Sequence, residues 1–327
     1  MTNMTATRLF NEALARREQL GVEQAWSFVQ EHGDPTDARQ MNLLYALAAA
    51  SGRADEAFAL LSDAVTEKGF WYPAEYLLED EDLESLRGRE GFAELADLCG
   101  KREEAALANA APGLTVLEQG KDAHGVTKKA NDETPASARP ILLVLHGDQE
   151  NERDTEMFWK PAQESGWKVG LIRSSQIRFS AAYGWDDIDL GAAELREHLE
   201  TLRGTTGEDA LIALGAFSTG AEVALNAVLH DDFPADGLIL VSPWLDDAAE
   251  WAEALERLEE RKPRSSWIAG AEDEEGLQSS RVLTQALQER GLKARLKVVA
   301  GLGHDYPADF SLRLVEGLNW IAEDKGK

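Results

Sequence analysis

Three short segments carry side chains able to do covalent chemistry. In Ala216-Phe-Ser-Thr-Gly220 a serine, Ser218, stands between an apolar run and a helical stretch. A nucleophile on so sharp a turn needs small residues two positions to either side, because larger ones would strike the helix start or the neighbouring strand. Ala216 and Gly220 meet that need. The segment Trp267-Ile-Ala-Gly-Ala-Glu-Asp273 runs a strand into a turn rich in carboxylates, with Asp273 as candidate acid and Glu272 as its alternative if the turn is shifted by one. Val298-Val-Ala-Gly-Leu-Gly-His304 then sets a histidine just past the last apolar run, with glycines that leave room around the ring. Hydroxyl, imidazole and carboxylate are the types that covalent catalysis by a serine requires, since the hydroxyl is a weak nucleophile until a neighbouring base takes its proton. A helix beginning at Thr219 also directs backbone N–H groups towards developing negative charge.

Elements able to hold these groups follow from the pattern around them. From Pro140 onward, short apolar runs alternate with helical stretches. The runs are Ile141–Leu145, Val169–Ile172, Ala210–Leu214, Leu238–Val241, Trp267–Ala269 and Leu296–Val299. The helices fall near Glu156–Glu164, Ile188–Leu202, Ala221–Leu229, Ala248–Glu260, Leu277–Glu289 and Pro307–Ile321. Continuous apolar strands alternating with helices imply a mainly parallel sheet covered on both faces. Catalytic groups in such sheets belong at the C-terminal strand ends, where Ser218, Asp273 and His304 all fall.

Residues 1–107 are different. Apolar residues recur there at spacings of three and four, which predicts an all-α domain. The helix pair around Leu43–Val65 resembles a tetratricopeptide repeat, with Ala57, Leu61 and Ala64 in the small-large-small positions of the second helix and Tyr45 where the first usually has glycine. Residues 108–139 read as a linker, rich in Gly, Pro, Asn, Asp and Thr, in which Leu114–Glu118 has the pattern of a short edge strand. Residues 140–327 form the α/β domain.

That domain resembles the α/β-hydrolase superfamily, in particular its compact phospholipase/carboxylesterase and dienelactone-hydrolase-like members. AFSTGA (Ala216 to Ala221) corresponds to their nucleophile turn, Leu145-His-Gly-Asp148 to their oxyanion turn, and GAED and GLGH to their acid and histidine segments. The serine, acid and histidine also come in the chain order of that superfamily. The resemblance implies a serine hydrolase acting on a carboxylic ester or thioester through an acyl-enzyme. Ser218 would attack, His304 would carry its proton, and Asp273 would hold the imidazole tautomer. The backbone N–H groups of Thr219 and Asp148 would form the oxyanion hole. Trp185, Gln176 and Trp244 follow strand ends and are expected to rim the substrate pocket. Roughly 25 residues separate the strands at Leu238 and Trp267, which leaves room for about one helix and none for a large cap. The alternative reading is a hydrolase-fold protein without activity that binds partners through its helical domain.

Composition narrows the partners. The chain has 33 lysines and arginines against 60 acidic residues, a formal charge of −27. Such a surface repels phosphate backbones and anionic lipids, so neither nucleic acid nor a membrane surface is expected as partner. The 43% hydrophobic content suffices for a packed core. The single cysteine, Cys99, cannot form an internal disulfide, and no apolar stretch has the length of a leader or a membrane span, which together read as cytoplasmic. His32, His124, His198 and His230 lack metal-ligand spacing, and neither a His-Glu-x-x-His pattern nor a phosphate-binding glycine loop occurs, so no metal or cofactor is expected. The expected partners are a small ester and, through the N-terminal helices, a protein or a second copy of the chain.

Overall fold

The computed structural model describes residues 5–117, 139–204, 210–246, 248–258 and 261–323. The chain divides into two compact units, one of Met1–Ala111 with Ile177–Tyr183 and one of Pro112–Gln176 with Gly184–Lys327.

The first unit is helical, with α1 (Ala6–Leu20), α2 (Val22–His32), α3 (Ala38–Ala50), α4 (Ala54–Ser62), α5 (Ala74–Glu79) and α6 (Phe92–Ala108). Local chemistry sets the ends. Thr5 caps α1 by accepting the Arg8 N–H, and Asp37 caps α3 by accepting those of Arg39 and Gln40. Gly52, at φ +80°, turns the chain out of α3 in a conformation that glycine adopts without strain. Ala57, Leu61 and Ala64 are fully buried. Tyr45 is also fully buried, edge-on to Tyr72 at 5.3 Å, and its hydroxyl meets the Asn42 amide. Residues 177–183 add a hairpin to this unit, β4 (Ile177–Phe179) against β5 (Ala182–Tyr183). Phe179 packs on Tyr72, and the Ser180 hydroxyl accepts the Trp71 N–H. The α/β domain expected over residues 140–327 is interrupted by this stretch, and strands of three and two residues carry too little pattern to register in sequence.

In the second unit a seven-stranded sheet runs in the order β1-β3-β2-β6-β7-β8-β9. Its strands are β1 (Gly113–Val116), β2 (Ile141–Leu145), β3 (Lys168–Arg173), β6 (Ile212–Phe217), β7 (Gly237–Val241), β8 (Arg264–Gly270) and β9 (Ala294–Val299). All pairs are parallel except β1, which lies antiparallel on β3 with Gly113 opposite Arg173. The edge strand expected inside the linker is therefore β1, while residues 118–138 lie outside the described residues. Helices cover both faces. Leu143 and Leu240 point into a core shared with α8 (Ile188–Arg203), α9 (Gly220–His230) and α11 (Glu274–Glu289). Their neighbours Val144 and Val241 face α7 (Glu152–Glu164) and α12 (Phe310–Ala322). Strands buried on both faces are why these runs are apolar throughout rather than alternating.

β6 and β8 extend beyond the runs expected at Ala210–Leu214 and Trp267–Ala269. β6 continues through Gly215, Ala216 and Phe217, past the last residue of the expected run. Glycine at 215 makes room for the Trp159 ring, 2.4 Å from where a Cβ would stand. β8 starts at Arg264 because its polar side chains find partners, Ser265 Oγ accepting the Trp267 indole N–H and Ser266 Oγ accepting Arg295 Nε–H.

Candidate active site

Ser218, Asp273 and His304 converge beyond the C-terminal ends of β6, β8 and β9. Ser218 occupies the two-residue turn from β6 to α9 at φ +54°, a left-handed conformation that costs a non-glycine residue about 1–3 kcal/mol. Surrounding bonds hold it there: its N–H donates to Val241 O, and its carbonyl accepts from the N–H groups of Ala221 and Trp244. Gly220 is sterically required, since a Cβ there would fall 2.5 Å from His146 O.

Asp273 follows β8 and caps α11, where Oδ1 faces the Gly276 N–H. A Cβ at 276 would lie 2.6 Å from Asp273 Oδ2, so glycine lets the carboxylate sit against the helix start, whose dipole favours negative charge. Oδ2 lies 2.9 Å from His304 Nδ1, and His304 Nε2 lies 2.8 Å from Ser218 Oγ. A carboxylate only accepts, so Nδ1 carries the proton and Nε2 is left to accept from the serine hydroxyl. Glu272 is exposed and turns its backbone N–H to Leu302 O, so Asp273 is the acid that meets the imidazole. The histidine loop is pinned by that bond and by Ala271 N–H to Val299 O. Phe217 and Trp244 flank the imidazole, at ring distances of 5.5 and 6.4 Å. Behind the imidazole, the Tyr306 ring is stacked between Phe217 and Phe158, its hydroxyl oxygen accepts the Trp159 indole N–H, and burial pushes its phenol pKa well up.

The residues expected to rim the pocket fare differently. Trp244 is 41% exposed and borders a cavity of about 440 Å³ lined also by Asp246, Glu274, Glu275 and Gln278. Nearby Glu222, on the first turn of α9, has its carboxyl pKa raised by burial and by Asp246. Trp185 is only 5% exposed. It stacks on His146, so its surface serves the turn after β2 rather than a pocket wall. Gln176 spends its side-chain amide on the backbone of Asp187, donating to O at 2.9 Å and accepting N–H at 2.7 Å. Both corrections have one cause: the residues after β3 turn back on themselves, which linear spacing does not reveal.

Thr219 stands at the cap position of α9, and its Oγ1 is buried without a hydrogen-bond partner among the described residues. Asp148 is half-buried in the turn after β2. One residue there escaped the sequence reading. Glu150, 6% exposed, accepts the Gly147 N–H at 3.0 Å, and only its position three residues past that glycine signals the role. Among the described residues no group of three or more His, Cys, Asp or Glu is arranged to hold a metal ion, and no helix is long and apolar enough to cross a membrane.

Comparison with known proteins adds the following. The family model of the A/B hydrolase-like N-terminal domain matches residues 5–107. No curated protein matches the chain. Among solved structures, an uncharacterised protein from Bacillus cereus ATCC 10987 is 34% identical, with 98% of this chain and 99% of that one covered and a TM-score of 0.55. A carboxylesterase from Bacillus cereus is 17% identical over 67% of this chain and 98% of its own, at a TM-score of 0.44. A dienelactone hydrolase from Anabaena variabilis ATCC 29413 is 16% identical over 65% and 97%, at 0.46.

Proposed function

The chain belongs to the α/β-hydrolase superfamily, and we propose that it is a serine hydrolase cleaving a carboxylic ester or thioester by way of an acyl-enzyme. The observation that carries this reading is the unbroken relay from Ser218 Oγ through His304 to Asp273, at 2.8 and 2.9 Å, on a strained turn. His304 Nε2 removes the Ser218 proton as Oγ attacks the acyl carbon, then returns it to the leaving oxygen or sulfur. Water, activated by the same nitrogen, releases the acid. Asp273 offsets the imidazolium charge. The N–H groups of Thr219 and Asp148 serve as oxyanion donors, each worth about 3 kcal/mol in reactions of this type.

Substrate class follows from the surroundings of Trp244. An exposed indole beside Asp246, Glu274 and Glu275 attracts neutral or cationic groups and repels anionic ones. The connection from β7 to β8 holds α10 (Ala248–Ala254) and a single turn, Leu255–Leu258, a length that favours small, accessible acyl groups. A cytoplasmic setting suits the lone, buried Cys99. The helical unit is the part proposed to engage a protein partner or a second copy of the chain.

The test is a series of p-nitrophenyl esters of graded acyl length, assayed with the full chain and with Ser218→Ala. Turnover is expected to be highest on short acyl chains and to fall at least about 10³-fold in the variant. Absence of turnover in the wild type, or equal rates in both proteins, would overturn the reading and leave a partner-binding role for the fold.

A further inference from the structure

His146 is fully buried at the end of β2, and both of its ring nitrogens are committed. Nε2 lies 3.2 Å from the Ser174 backbone N–H, which can only donate, so this nitrogen accepts. Nδ1 lies 2.7 Å from Gly147 O, which can only accept, so this nitrogen carries the proton. The ring is therefore held in place from both sides by backbone groups. It lies flat on the Trp185 indole, with centroids 4.7 Å apart and planes at 28°. The same indole donates its N–H to the His146 carbonyl oxygen at 2.9 Å.

That carbonyl oxygen is a junction. Close to it stands also Gly220, the first residue of α9, where a Cβ would lie 2.5 Å away. Asp148 follows His146 by two positions and Thr219 precedes Gly220 by one. One carbonyl thus registers the turn that bears one proposed oxyanion donor against the helix start that bears the other. The supporting loop is fixed in turn: Glu194, buried on α8, accepts both the backbone N–H and the hydroxyl of Ser175.

We infer that Trp185 is a positioning residue, whose indole N–H and stacked face hold His146 and thereby set the spacing between the N–H groups of Asp148 and Thr219. The inference rests on the serine-hydrolase reading above. It gives Trp185 a part in transition-state stabilisation rather than in substrate contact. Oxyanion donors act because they are preorganised around the charge that develops, so loosening their frame weakens transition-state binding more than substrate binding.

The test compares the full-length wild type with Trp185→Phe, which keeps an aromatic face and lacks the N–H. A second variant carries β-(3-benzothienyl)alanine at 185, which preserves the bicyclic shape and replaces the N–H by sulfur. Steady-state hydrolysis of p-nitrophenyl acetate is measured on active-site-titrated protein. Affinity for an alkyl trifluoromethyl ketone, whose serine adduct carries an oxyanion, is measured alongside. In both variants kcat is expected to fall by about ten- to hundredfold with KM within twofold, and ketone affinity to fall by the same factor. A residue that merely fills space would lower the unfolding temperature and leave kcat and ketone affinity unchanged in the folded fraction. That result in the benzothienyl variant, beside a competent wild type, overturns this inference alone. A wild type that neither hydrolyses the ester nor binds the ketone overturns the hydrolase reading and this inference with it.

Discussion

Gly270→Ala puts the smallest side chain into the tightest place near the relay. A Cβ there would stand 2.1 Å from Leu302 O and 2.3 Å from Gly303 O. Both are backbone atoms, so no rotamer change relieves the clash. Reaching the 3.0 Å below which real Cβ contacts essentially never fall moves the 302–303 backbone by about 0.9 Å. His304 is the next residue, and its bonds of 2.8 and 2.9 Å would stretch beyond hydrogen-bonding range if they lay along that shift. A misplacement of about 1 Å costs on the order of a hundredfold in rate, or about 2.7 kcal/mol of barrier. The displaced loop also strains the bonds from Ala271 N–H to Val299 O and from Glu272 N–H to Leu302 O, worth about 1 kcal/mol each. The assay is kcat/KM on a short p-nitrophenyl ester, with circular dichroism to establish folding. Gly303→Ala is the matched control, because a Cβ at 303 meets nothing within 4 Å. An ester rate for Gly270→Ala within threefold of wild type, or equal damage from the two substitutions, would refute the steric reasoning.

Further substitutions test separate links. Asp273→Asn leaves the shape of the relay but forfeits the charge that fixes the His304 tautomer, and kcat is expected to drop by about 10³–10⁴-fold. Glu272→Gln, on an exposed side chain, is expected to change kcat less than threefold, and comparable losses in the two would misassign the acid. His198 on α8 has its pKa lowered from 6.5 because burial disfavours the imidazolium, and its Nε2 is buried without a partner among the described residues. The unfolded chain then binds a proton that the fold refuses, so stability is lost as pH falls below 6.5 towards the depressed folded value. Urea midpoints at pH about 7.5 and 5.5 should fall further in the wild type than in His198→Gln, and parallel drops would contradict this.

What the sequence discloses follows from the range over which each signal acts. ILLVL marks β2 to the residue, because a strand buried on both faces must be apolar throughout. The serine, acid and histidine are legible because each follows a strand end, and parallel strands deliver their ends to one edge. Gly215 misleads for the opposite reason. Its smallness answers Trp159, a residue of α7 remote in sequence, so nothing near it in the chain extends the apolar run past Leu214. Trp185 misleads similarly, since its burial depends on His146 at the end of another strand. Gln176 is tied to the backbone of Asp187, eleven positions on, a pairing its neighbours in sequence do not signal. Local periodicity reaches the elements and their order, whereas the duties of single side chains between elements depend on packing that no window of sequence contains.

The most direct measurement is covalent. The full chain and Ser218→Ala are exposed to a fluorophosphonate at neutral pH, and adducts are mapped by peptide mass spectrometry. A relay at 2.8 and 2.9 Å should activate the hydroxyl, so the expected result is one adduct on Ser218, lost in the variant. Folded wild-type protein that stays unlabelled, or that labels equally in Ser218→Ala, would contradict the assignment of Ser218 as nucleophile.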